Sequence, residues 1–182
     1  MDIQNLQDKV AVGRDEVAYR TLFLHFYCGL LRFSTTYVGQ KEIAEEIVSD
    51  VMLKIWTMGC SLNKVKNLGV YLFTSTKNSS INFLVSNKKY STWDIDQIGP
   101  EVAVEFSTPI AQLLNTELCE QIDKSINSLP PKCRLAFVLN REDGLSYKEI
   151  SEIMGISLNT VDRHLQIAQQ KLGSALKNYL YQ

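Results

Sequence analysis

Glycine, proline, histidine and paired cysteine are all scarce in this chain, and each scarcity closes off a class of function. Only 9 of 182 residues are glycine and 4 are proline, while 45% are hydrophobic. That excludes a collagen-like or Pro/Gly-rich disordered chain and leaves apolar mass for one sizeable domain or two small ones. The four cysteines, Cys28, Cys60, Cys119 and Cys133, lie far apart and form no CxxC pair, and the two histidines are His25 and His164. Metal-ligand spacing is missing, so neither a metal site nor a cofactor is expected, and the cysteines read as isolated reduced thiols of a cytoplasmic protein. Cys28, in an apolar stretch, and Cys133, on a helix face, are expected to behave as small hydrophobes.

Catalytic signatures are absent as well. No GxSxG, GxxxxGK[ST], HExxH or GxGxxG occurs, and the acid pairs Glu45-Glu46 and Glu142-Asp143 read as solvated. The expectation is a protein that is not an enzyme and takes no small-molecule substrate. The N-terminus lacks the basic-then-apolar pattern of a signal peptide, and no apolar run approaches the roughly 20 residues that span a bilayer, so no membrane insertion is expected. Charge of one sign is not in excess either: 19 Lys+Arg stand against 20 Asp+Glu, net −1. Taken as a total, that speaks against a strongly basic DNA-binding domain. A total can hide a pattern.

What the chain does have is helical periodicity, with little strand-like alternation. From Asp15 to Val38, Leu22, Phe23, Phe26, Tyr27, Leu30, Leu31, Phe33, Tyr37 and Val38 recur at three- and four-residue intervals, predicting a long, mostly buried helix. After Gly39 a second helix opens with Glu42, Glu45 and Glu46, favourable to the helix dipole, and carries Ile43, Ile47, Val51 and Ile55 before ending around Trp56 to Gly59. Residues 60–67 read as a loop, and a third helix is expected from about Leu68 to Asn87. Between Tyr90 and Pro109 the pattern lapses into a polar, acidic stretch with Gly99-Pro100, which reads as an interdomain linker. Helix resumes at about Pro109 to Ser128; Leu129-Pro130-Pro131 stops it, and the second proline suits the first turn of the next helix, which runs to about Arg141.

The C-terminal segment carries the sharpest local signals. A turn at Glu142-Asp143-Gly144-Leu145 leads into Ser146-Tyr147-Lys148-Glu149, a capping box. A short helix through Ile150, Ile153 and Met154 then ends at Gly155, placed for a left-handed cap. Ser157 caps the next helix, whose Val161, Leu165, Ala168 and Leu172 form one apolar stripe. Two such helices around a glycine-containing turn make a helix-turn-helix, whose second helix reads the major groove with its N-terminal residues. Asn159, Thr160, Arg163 and His164 are the outward positions there, and Asn and Arg match adenine and guanine edges. An ordinary helical hairpin would show much of the same pattern.

These residues resemble a known family. Ser146 to Val161 is similar to the promoter-binding helix-turn-helix of extracytoplasmic-function (ECF) sigma factors, and Ser128-Leu129-Pro130-Pro131-Lys132-Cys133-Arg134 to the segment that opens their C-terminal domain. Tyr19-Arg20-Thr21-Leu22-Phe23, Ala44 to Trp56, and Tyr71 to Asn78 resemble the family's first domain. The match covers about residues 10–89 and 110–178 in the family's order, and its wording is similar to the subgroup common in Bacteroidetes.

The resemblance implies an all-α chain of two small helical domains joined by a flexible linker: 1–89, which binds core RNA polymerase and melts the minus-ten element; 90–108, the linker; and 109–182, the helix-turn-helix that reads the minus-thirty-five element. Carried over by position, Glu42, Glu46, Asp50 and Lys54 would meet the polymerase. The Thr57–Asn67 loop and the third helix would capture melted DNA through Lys64, Lys66, Tyr71, Lys77, Asn78, Lys88 and Lys89, with Asn78 at the family's characteristic asparagine. Ser157, Asn159, Thr160, Arg163 and His164 would serve the minus-thirty-five element. Core RNA polymerase, promoter DNA and an anti-sigma factor are the implied partners.

Charge along the chain agrees with this division. Residues 41–50 hold Glu42, Glu45, Glu46 and Asp50 against Lys41, net −3, whereas residues 51–93 hold six lysines and no acid. A basic, acid-free stretch with Trp56, Tyr71, Phe73, Tyr90 and Trp93 offers cations for phosphates and rings for base stacking, although several of these rings must belong to the core. Residues 132–182 are only mildly basic, net +2. Asp162, Ile167 and Val85 stand where the family often has basic residues, so weak intrinsic DNA affinity is expected. The competing reading is a stand-alone helix-turn-helix regulator with a helical sensing or dimerisation domain. A third is a protein that binds polymerase or an anti-sigma factor without reading promoters.

Overall fold

The computed structural model describes residues 1–87 and 124–180, with side chains of the last helix as far as Ser174. The chain divides into two compact units, Met1–Ile98 and Gly99–Gln182, and the division falls within the undescribed residues. Every regular element among the described residues is helical.

The first unit consists of α1 (Ile3–Gly13), α2 (Glu16–Val38), α3 (Lys41–Met58), a 3-10 helix (Gly59–Lys64) and α4 (Leu68–Ser86). Local signals place each boundary. Asp15 caps α2 by accepting from the amides of Val17 and Ala18, and Asn67 caps α4 by accepting from Val70 N–H. Gly39, at φ 74°, closes α2 in the left-handed region open to glycine. α2 packs against α1, α3 and α4. Leu22, Leu30 and Phe33 of α2, Val48, Met52 and Ile55 of α3, and Leu72 and Phe73 of α4 are all buried in this core. The Phe33 and Phe73 rings meet edge-on at 5.3 Å, and Ser34 and Ser80, both fully buried, share a hydrogen bond of 2.9 Å between α2 and α4. Phe73 is thus a core residue, not a base-stacking ring.

Three features differ from the expectations. α1 lies outside the expected helices, although Ile3, Leu6, Gln7, Val10 and Ala11 follow helical spacing after the capping Asp2. Of residues 60–67, expected as a loop, the first five belong to the 3-10 helix Gly59–Lys64, whose Leu62 is fully buried in the core. The burial of α2 is uneven: Phe33, Ser34, Thr36, Tyr37 and Val38 are buried around its last turns, whereas Val17 and Leu24 are exposed, and Cys28 lies exposed on the surface and does not act as a small hydrophobe.

In the second unit, residues 124–127 are helical and precede α5 (Pro131–Arg141), α6 (Tyr147–Met154) and α7 (Leu158–Leu180). Pro131 opens α5 as expected, since its missing N–H would have no partner in a first turn. Both capping-box bonds between Ser146 and Glu149 are present, Gly155 ends α6 at φ 70°, and Ser157 Oγ accepts from Thr160 N–H. Leu135, Val138 and Leu139 of α5, Ile150 and Ile153 of α6, and Val161, Leu165 and Ala168 of α7 form the core. α7 runs on beyond Leu172 to Leu180. The linker 90–108, Cys119, and the helix expected from 109, apart from its last residues, lie outside the described residues.

Candidate polymerase and promoter interface

On α3, apolar residues recur so that Ala44, Val48, Val51, Met52 and Ile55 face inward. Helical geometry then sends Glu42, Glu46, Asp50 and Lys54, each four residues after the last, along one outward stripe. All four are exposed. Lys41 pairs with Glu45 at 3.7 Å, a solvated contact that leaves the stripe itself acidic. Leu53, a large apolar side chain 56% exposed, lies beside it.

The lower end of that stripe meets the candidate DNA residues. The Lys54 ammonium sits 5.9 Å from the centre of the Tyr71 ring, whose hydroxyl donates to Met58 Sδ at 3.5 Å. A polar groove of about 270 Å³ is lined by Asp50, Val51 and Lys54 of α3 and by Ser75, Asn78, Ser79 and Asn82 of α4. Asn78 is exposed there, beside Asp50 and Lys54, two of the residues expected to meet the polymerase. Sequence spacing could not place these residues together, because they come from different helices.

Lys64 and Lys66 are exposed on the segment entering α4. Lys77 is half-buried, and desolvation pushes its ammonium below the usual lysine range. Trp56 is half-buried, packed 5.0 Å from Tyr19 and covered by the Arg14 guanidinium, which also donates to the Trp56 carbonyl. Lys88, Lys89, Tyr90 and Trp93 lie outside the described residues.

In the second unit, the capped start of α7 sorts its five candidates. Asn159 and Arg163 are exposed. Thr160 is half-buried, with its hydroxyl 2.8 Å from Ser157 Oγ, so both hydroxyls serve the cap. His164 turns toward α5, its Nδ1 lying 3.3 Å from Cys133 Sγ. Desolvation first, then Lys132 and Arg163, hold the imidazole below the usual histidine range, while burial raises the Cys133 thiol against a smaller opposing effect of Lys171. A protonated thiol beside a neutral imidazole is the pairing these shifts favour, with the tautomer of His164 setting which of the two donates. Asp162 is exposed and accepts from Gln166 Nε2 at 2.8 Å.

Residues missed from the sequence include Gln7 and Arg14, which tie α1 and the turn after it to α3 and the 3-10 helix. Leu158, 51% exposed at the first turn of α7, is another. Its apolar type at an otherwise polar helix start was the available signal. Among the described residues, no cluster of His, Cys, Asp or Glu is arranged to hold a metal ion, and no helix is long and apolar enough to cross a membrane.

Comparison with known proteins matches residues 22–90 to sigma-70 region 2 and residues 119–172 to sigma-70 region 4. The chain is 25% identical over 185 residues to the ECF RNA polymerase sigma-E factor of Escherichia coli strain K12, covering 96% of each. It is 23% identical over 151 residues to RNA polymerase sigma factor YlaC of Bacillus subtilis, covering 83% of this chain and 87% of that protein. Among solved structures it resembles the sigma factor RpoE in complex with the anti-sigma factor NepR from Bartonella quintana, with a TM-score of 0.57, 25% identity, and 87% and 96% of the two chains covered. The fold also matches CnrH in complex with the cytosolic domain of CnrY, at a TM-score of 0.56 and 16% identity over 96% and 97%. With both sigma-70 regions in order on its two helical units, and near-full-length likeness to ECF sigma factors, the chain belongs to the ECF sigma factor family.

Proposed function

We propose that this ECF sigma factor divides its work between the two units as follows. It binds core RNA polymerase, directs it to particular promoters and assists melting, with no enzymatic chemistry of its own. The exposed acidic stripe Glu42, Glu46 and Asp50, with Lys54 at its end, is the polymerase-docking face. Lys64, Lys66, Tyr71, Lys77 and Asn78, with Lys88 and Lys89 beyond, receive the melted minus-ten strand. At the start of α7, Asn159 and Arg163 read minus-thirty-five bases, and the exposed Leu158 meets a thymine methyl. Ser157, Thr160 and His164 hold that helix start in shape and contribute to backbone contacts. The domain limits 1–89, 90–108 and 109–182 belong to this reading, as does a cytoplasmic location. So does the Bacteroidetes-type subgroup, which rests on the wording of Tyr19 to Phe23 and Ala44 to Val51.

The observation that carries the proposal is the presence of both sigma-70 regions in one chain, each on its own helical unit. An anti-sigma factor is the proposed regulator, since the sigma factor RpoE of Bartonella quintana is seen bound to one. A stand-alone regulator has no use for an acidic stripe beside a lysine-bearing loop. Reconstitution with core RNA polymerase on DNA selected by the holoenzyme tests the proposal. The expected result is an open complex that depends on this protein; tight operator binding by the protein alone, with no open complex, would establish the regulator instead.

A further inference from the structure

Gln7 is the buried polar side chain of α1, 1% exposed. Its Nε2 donates to the carbonyls of Leu62 and Val65, both at 2.8 Å, across 55 and 58 residues of sequence. The Leu62 carbonyl also accepts from Val65 N–H at 3.0 Å, closing the end of the 3-10 helix. Val65 itself is extended, φ −78° and ψ 109°, and half-buried, with the exposed lysines Lys64 and Lys66 on either side. One amide thus holds the end of the 3-10 helix and the residue between two cations.

A core position on α1 could be filled by leucine or methionine with no polar group to desolvate. A glutamine there is tolerated because both of its N–H donors are used. What it adds over an apolar side chain is direction: two carbonyls of a loop end are held at hydrogen-bond distance and cannot slide along a greasy surface. Leu62, fully buried, anchors the same segment from the other side. A loop ordered before the DNA strand arrives does not have to be ordered by it, which favours capture.

We infer that Gln7 is a positioning residue for promoter opening, acting through the backbone at Leu62 and Val65 to present Lys64 and Lys66 to the melted strand. The inference rests on the reading of residues 57–67 as part of the minus-ten surface. α1 then belongs to the DNA-melting apparatus even though no residue of it need touch DNA.

The test compares full-length wild type, Q7M and K64A/K66A, each assembled with core RNA polymerase on a promoter fragment selected with the wild-type holoenzyme. Permanganate reactivity of minus-ten thymines is read on the duplex and on a template already unpaired there. Q7M keeps the length of the side chain and removes both donors. On the duplex, Q7M and K64A/K66A should each lower reactivity on the order of tenfold, in keeping with loss of two buried hydrogen bonds or two phosphate partners. Core affinity and minus-thirty-five protection should stay at the wild-type level, and on the unpaired template, whose thymines react without melting, all three proteins should give the same signal, which serves as the reactivity control. Should Q7M bind core poorly, Q7N, whose shorter amide can reach one carbonyl, is measured in its place and should fall between the two. Normal opening by Q7M beside a defective K64A/K66A overturns the role of Gln7 and leaves the loop reading standing. Normal opening by both overturns the loop reading, and the inference falls with it. Loss of core binding in proportion to loss of opening in both Gln7 variants makes Gln7 a fold-stabilising residue only, which also overturns the inference.

Discussion

The Cys133 thiol and Nδ1 of His164 lie 3.3 Å apart, joining α5 to α7. The contact turns one side of the imidazole toward α5 and gives His164 a fixed job within the unit. The charged groups around the imidazole are Lys132 on α5 and Arg163 on α7, and both disfavour its protonation.

Stability should therefore depend on pH through His164. Its folded value is below its unfolded value, so the unfolded chain binds more protons in the interval between them and stability rises with pH there. The contribution is fully present above the unfolded histidine pKa of about 6.5, and is lost as pH falls below it, levelling off below the folded value. Thermal unfolding midpoints from pH 5 to 8 should show this step, and H164Q should flatten it. An unchanged step in H164Q would assign it to another group.

Thiol reactivity should separate the cysteines by the same physics. Cys28 and Cys60 are exposed, whereas Cys133 is buried with its thiol pushed up. Under native conditions a maleimide should modify Cys28 and Cys60 well before Cys133, and denaturant should equalise the three. Early labelling of Cys133, located by peptide mass, would contradict the packing of α5 on α7.

Charge reversal on the acidic stripe should weaken polymerase binding without touching the fold. Glu46 and Asp50 are exposed and lie on the face of α3 opposite its buried residues. E46K or D50K should leave the helical circular dichroism unchanged and lower core affinity several-fold, mainly through slower, more salt-sensitive association. Wild-type affinity in both variants would remove the stripe from the interface.

Replacing Arg163 should relax one base of the minus-thirty-five element. A guanidinium bound to a guanine edge contributes about 1–3 kcal/mol of discrimination, so R163A should flatten that position in a promoter selection while leaving the others. An unchanged profile would leave base reading to Asn159 and Leu158.

Truncating Asn78 should impair opening and spare the duplex contacts. Asn78 is exposed in the groove that also holds Asp50 and Lys54. N78A should lower minus-ten permanganate reactivity with core binding intact. Wild-type melting would place the minus-ten contacts elsewhere on α4.

Much of this could be read along the sequence because it depends on neighbours a few residues apart. The Ser146–Glu149 capping box, the left-handed cap at Gly155, the proline at the start of α5, and the apolar stripe of Val161, Leu165 and Ala168 all depend on near neighbours, and each formed as expected. The acidic stripe of α3 follows from the same period. Which face of a helix is covered by a distant segment is not a local property. Gln7 meets Leu62 and Val65 only because α1 folds back onto the 3-10 helix, Lys54 meets Tyr71 across two helices, and His164 meets Cys133 across 31 residues. Cys28 shows the same limit in reverse: its neighbours in sequence are apolar, yet its face of α2 meets solvent. The sequence by itself determined most of the helices, their caps and the resemblance to the family, while α1 and the 3-10 helix came from the structure. Tertiary packing decided which polar side chains became internal ties and which stayed free for a partner, because a side chain's surroundings are set by elements tens of residues away.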